Sequence, residues 1–112
     1  MKISFCYAFF SMTLASMILG CSETPTSETP VTDTVIISGM KFNPQELTVN
    51  KNDTVVWINQ GMVSHNVASF PDMKWKSDTI EVGSSWKKAI NEDLDYFCTI
   101  HPTMKGKIVV KK

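Results

Sequence analysis

The sequence is short of several things that would point to common functions. It has no net charge: Lys and Arg total 11, and Asp and Glu total 11. Its lysines are scattered and form no basic stripe, so the electrostatic footprint of a nucleic-acid binder is missing. No segment sustains a 3.6-residue apolar period, which removes amphipathic helices from the expected architecture. The one long apolar run, Phe5 to Leu19, is about 15 residues against the roughly 20 that a spanning helix needs. Histidine occurs only twice and cysteine three times. No nucleophile–base pair or general base beside an open metal position is apparent, so the chain does not read as an enzyme.

The apolar run starts after Lys2 and suits the core of a signal peptide. It ends in Ile18-Leu19-Gly20-Cys21, which resembles a bacterial lipobox. The implication is that residues 1–20 are a lipoprotein signal peptide and that Cys21 is lipidated as the first mature residue. An uncleaved membrane anchor is the alternative. Either way the remainder faces the periplasmic or cell-surface side of a bacterial membrane. Cys6 then leaves with the signal and Cys21 is capped, so Cys98 stands alone and no intramolecular disulfide is available. A lone thiol in an oxidising compartment is a liability unless something occupies it.

Residues 21–33 form the next unit. Ser22 to Asp33 reads SETPTSETPVTD, with Val31 as its one apolar side chain. Such a stretch buries too little surface to fold and reads as a flexible tether. Residues 34–112 are the folded domain. Strands are expected at Thr34–Ser38, Glu46–Asn50, Thr54–Gln60, Ser85–Ile90, Leu94–Cys98 and Lys107–Lys111, from β-branched runs and alternation. Val55 and Trp57 share one face; Leu94, Tyr96 and Cys98 share another. Short strands between turn signals predict a small antiparallel sandwich or barrel. Trp57, Trp86, Phe42, Tyr96 and Phe97 are expected in the core. Residues 71–77 fit a loop or one helical turn, with Trp75 unassigned. Lys74, Lys76, Lys87 and Lys88 read as a solvated face.

The chemistry concentrates in Cys98-Thr-Ile-His-Pro-Thr-Met104. Two residues separate the thiol from His101, and two more separate His101 from Met104. The other histidine, His65, follows the strongest strand. Two imidazoles, a thiolate and a thioether favour copper: a trigonal two-His, one-Cys plane with a weak axial Met is the blue-copper electron-transfer arrangement. Structural zinc sites draw on Cys and His and do not normally use methionine. The tight loop gathers three donors, and His65 supplies a fourth from a distant segment.

Three stretches resemble the cupredoxins, most of all the amicyanin and pseudoazurin group. They are Met40-Lys-Phe-Asn-Pro, Asp53 through Val67, and Asp95 through Val110. The resemblance implies an all-β, eight-stranded Greek-key sandwich holding one type 1 copper ion on His65, Cys98, His101 and Met104. It implies that Asn66 bridges toward Thr99 and ties the two ligand segments together. It implies an apolar rim of Met62, Val63, Ile100, Pro102 and Thr103 around an exposed edge of His101. Here a redox partner, such as a cytochrome c or a periplasmic oxidoreductase, would dock on a monomer. Two positions depart from amicyanin-like loops: Ile100 and Ser64 stand where those loops often have proline. The expected function is single-electron transfer. A copper chaperone or storage protein shares the ligands, and a Cys98-dependent thiol enzyme would have no use for Met104.

Overall fold

A computed structural model describes Gly20 and residues 29–112. The expected signal segment apart from Gly20, the expected lipid site Cys21 and most of the expected tether lie outside the described residues. Among the described residues no helix is long and apolar enough to cross a membrane.

Eight strands make two four-stranded sheets. The first contains β1 (Thr32–Ser38), β2 (Lys41–Asn43), β4 (Thr54–Asn59) and β6 (Ser85–Ala89), in the order β2-β1-β4-β6. The second contains β3 (Glu46–Val49), β5 (Ala68–Ser69), β7 (Leu94–Phe97) and β8 (Lys105–Val110), in the order β3-β8-β7-β5. The result is an all-β sandwich, as the strand pattern and the resemblance predict.

Two details differ from expectation. The sandwich is not antiparallel throughout: β1 runs parallel to β4, and β3 parallel to β8. The cause is connectivity, because the chain leaves β1 and β2 for the other sheet at β3 before β4 returns beside β1. The folded unit also begins before Thr34. Thr32 and Asp33 are already in register with Thr54 and Val55, and the Thr54 N–H donates to the Val31 carbonyl at 2.9 Å.

Alternation explains the core. Along β4, Val55, Trp57 and Asn59 are buried, while Thr54, Val56 and Ile58 are half-buried on the opposite face. In β7, Tyr96 points inward and Cys98 follows it in the same phase, both buried. Trp57 packs edge-on to Tyr96 at 5.3 Å between ring centroids, and Tyr96 meets Phe42 at 4.8 Å. Such aromatic contacts combine a large buried area with favourable ring geometry. Burial pushes the Tyr96 phenol up to about 12, so it stays neutral. Phe97 falls one residue out of this phase. It is half-buried against Phe70, at 5.4 Å, and is not part of the core cluster. Residues 71–77 form turns rather than a helix. Their Trp75 stacks on Trp86 at 5.9 Å, with the Lys88 ammonium 5.0 Å from the Trp75 ring. This stack covers the outer strand β6.

Gly106 on β8 lies opposite Tyr96, and a methyl group there would overlap the Tyr96 ring. Gly106→Ala is therefore expected to destabilise the domain by about 2–3 kcal/mol, read as a lower urea midpoint.

The start of the domain is held by Asp53. Its carboxylate accepts the Val31 N–H at 3.0 Å and the Asn50 N–H at 2.9 Å. The Val31 N–H holds the Asp53 carboxyl below its ordinary 3.8 against the opposing effect of burial, with help from Asn50, Asp33 and Lys111. Burial, then the charge of Asp53, hold Asp33 above 3.8. A depressed carboxyl stabilises the fold fully above its unfolded value and loses that contribution as pH falls through its folded value. Asp33 has the opposite sign, since its protonation relieves a penalty. Asp53→Asn is expected to flatten the fall in stability below pH 3.8, measured by unfolding curves across the acid range.

Candidate metal centre

The donors lie at one end of the sandwich, and backbone hydrogen bonds set their positions. After β4 the chain turns through residues 60–64 to reach His65. Asn59 organises that turn. Its side-chain amide donates to the Val63 carbonyl at 2.8 Å and the Ile80 carbonyl at 2.9 Å, and its oxygen accepts the Gly61 N–H at 2.9 Å. His65 then exchanges two backbone hydrogen bonds with Ile80, at 3.2 and 2.7 Å. The second donor segment closes on itself. The Cys98 N–H donates to the Met104 carbonyl at 3.0 Å, and the Met104 N–H donates to the His101 carbonyl at 2.9 Å.

These restraints bring His65, Cys98 and His101 together, with one donor atom from each lying within 4.8 Å of the others. The Cys98 Sγ is 3.8 Å from His65 Nδ1 and 3.9 Å from His101 Nδ1. Cys98 and His65 are buried, whereas His101 keeps partial exposure. Met104, 4% exposed, is buried at the end of the same loop. The spacing fits a metal ion. A trigonal ion about 2.0–2.1 Å from nitrogen and about 2.3 Å from sulfur would hold those atoms about 3.8 Å apart. Burial, followed by the charge of His101, pushes the His65 imidazole below its ordinary 6.5. A neutral ring keeps the lone pair that a metal needs.

Asn66 and Thr99 join the two donor segments. The Asn66 amide donates to the Thr99 hydroxyl at 2.7 Å, and the Thr99 N–H donates to the Asn66 oxygen at 2.8 Å. Of the apolar rim residues, Met62 is 94% exposed, and Val63, Ile100, Pro102 and Thr103 are also exposed.

Three supporting residues escaped the sequence reading. Asn59 did carry a signal, since it continues the inward phase of Val55 and Trp57 and a polar residue there needs partners. Ser77 accepts the Val67 N–H at 3.0 Å, and Glu81 accepts a hydrogen bond from the Ser64 hydroxyl. Neither has a local pattern that announces it.

The family model for copper-binding proteins of the plastocyanin/azurin family matches residues 30–111. The chain belongs to this family. It is 33% identical to amicyanin from Paracoccus versutus over 99 residues, which cover 80% of this chain and 75% of that protein. It is 32% identical to amicyanin-alpha from Methylorubrum extorquens over 110 residues, covering 93% and 92%. Among solved structures, it resembles a reduced Cu(I) form of an amicyanin variant, with 34% identity and a TM-score of 0.65, covering 70% of this chain and 80% of that one. The cofactor of this cupredoxin is thus copper, and His65, Cys98, His101 and Met104 form its type 1 site.

Asn66→Ala removes both bonds to Thr99 and strands the Thr99 N–H. A loss of about 2 kcal/mol in unfolding free energy is expected, and Thr99→Ala in the same background should add little to it. Full additivity in that double-mutant cycle would show that the two residues do not act as a pair.

Proposed function

We propose that the chain is a lipid-tethered cupredoxin that passes single electrons between redox partners outside the cytoplasm. The observation that carries this reading is the convergence of a buried thiol and two imidazoles within 4.8 Å, with Met104 in the same closed loop.

Copper bound there supplies a one-electron exchange between Cu(I) and Cu(II). Cys98, His65, His101 and Met104 are the residues that would hold the ion, a thiolate, two imidazoles and a thioether that together suit both copper oxidation states. The chain's task is to keep those donors still. The Cys98–Met104 loop is closed by its own backbone, and His65 is bonded in both directions to Ile80. Neither segment has slack with which to follow a change of metal charge, so little rearrangement accompanies transfer. Burial of His65 and Cys98 keeps water away from the ion. The partly exposed His101 is the route for the electron.

Met62, Val63, Ile100, Pro102 and Thr103 form an apolar rim against which a partner docks briefly, as small electron-transfer interfaces do. The partner class is a cytochrome c or a periplasmic oxidoreductase, and the carrier works as a monomer. Cys21 takes the lipid after residues 1–20 are removed. Residues 21–30, ahead of the first strand, then let the copper end turn between donor and acceptor, across a reach of up to about 35 Å. The protein carries electrons and does not itself transform a substrate.

The chain loaded with Cu(II) is expected to show an intense blue thiolate-to-copper band and a small parallel hyperfine splitting in electron paramagnetic resonance. Cys98→Ser should abolish the band. A pale wild-type spectrum with ordinary hyperfine splitting would sink the reading.

A further inference from the structure

We propose that Glu81 is a positioning residue for the metal centre. Through Ser64 it latches the chain segment that carries His65, and its carboxylate biases the centre toward the more positive, oxidised state. This rests on the copper electron-transfer reading above.

The Ser64 hydroxyl, one residue before the ligand His65, donates to the Glu81 carboxylate. Glu81 reaches it from a backbone that is fixed on both sides. Before it, Ile80 is bonded in both directions to His65 and accepts the Asn59 amide at 2.9 Å. After it, the Ser84 N–H donates to the Glu81 carbonyl at 2.9 Å and closes a turn. Gly83 supplies the positive φ of 83° in that turn. The turn is tied to β4, since Gly83 N–H donates to the Asn59 carbonyl at 2.8 Å and Asn59 N–H to the Ser84 carbonyl at 2.9 Å. The carboxylate therefore projects from a held position, and less conformational freedom is lost in forming the latch.

The Glu81 carboxylate also carries a charge that acts apart from the latch. Among the described residues the one ion pair is Lys74 with Asp72, so no cation pairs with Glu81. An uncompensated negative charge beside the ligand segment lowers the energy of the higher metal charge. At an exposed site the effect is modest, and salt screens it.

Two substitutions separate the roles. Glu81→Gln removes the charge but keeps an acceptor for Ser64. Ser64→Ala removes the donor but keeps the charge. The full chain loaded with copper is titrated for its midpoint potential at low and high salt. Amide hydrogen exchange at His65 and Ile80 is followed by NMR in the Cu(I) form. Wild type must first give the blue band and a reversible one-electron titration. Failure there counts against the copper electron-transfer reading, whereas the exchange arm reads the latch without any redox step. In Glu81→Gln the midpoint is expected to rise, by less at high salt, with exchange unchanged. In Ser64→Ala, exchange at both amides is expected to quicken about three- to tenfold, with the smaller change in midpoint. A midpoint that does not rise in Glu81→Gln, or exchange that does not quicken in Ser64→Ala, overturns the proposal.

Discussion

A thiol and two imidazoles that face one another inside a protein do little to stabilise it. The thiol and the His65 ring have left water, and at 3.8 and 3.9 Å the donor atoms make poor hydrogen bonds with each other. Left to themselves, such groups would turn toward better partners or toward solvent. Everything around the site can be read as what prevents that. Cys98 and His101 are held by a loop whose backbone closes on itself, and His65 by a bridge to Ile80. Restraint therefore comes from the main chain, which leaves the side-chain donor atoms free to meet a metal.

The sandwich extends this restraint inward. Cys98 continues the inward phase of Tyr96 at the end of β7, so the thiol inherits its direction from the strand. Tyr96 is in turn seated against Trp57, Phe42 and the bare backbone of Gly106. On the His65 side, buried Asn59 does the equivalent work with polar contacts, spanning the turn and the Ile80 segment together. Asn66 and Thr99 connect the two halves. Local backbone geometry, aromatic packing and buried amide hydrogen bonds thus converge on one end of the molecule.

Much of this was legible in the sequence. β4 and β7 announce themselves by alternation, and that alternation places Trp57, Tyr96 and Cys98 correctly. The donor set was legible because histidine and cysteine are rare in this chain and three of the four donors fall between Cys98 and Met104. Strands β2 and β5 were not legible, because three and two residues are too few to show a period. The parallel pairings depend on which sheet a strand returns to, and local composition does not encode that choice. Phe97 shows the limit of reading aromatic residues by type alone: counting from Tyr96 along an alternating strand puts it on the outer face. The Ser64–Glu81 bond spans 17 residues and joins two exposed segments, so only the folded chain brings it into view.

The closure of the Cys98–Met104 segment also bears on how such a protein can change over generations. Three of the four copper donors sit in one short loop that shapes itself, with its ends joined by the bond from Cys98 to Met104. The sheets need only present the two ends of this loop and one outside histidine. Insertions or replacements between Cys98 and Met104 can therefore alter the metal's surroundings without shifting the register of any strand. The loop is a separable module, and the sandwich is the socket into which variants of it can be set.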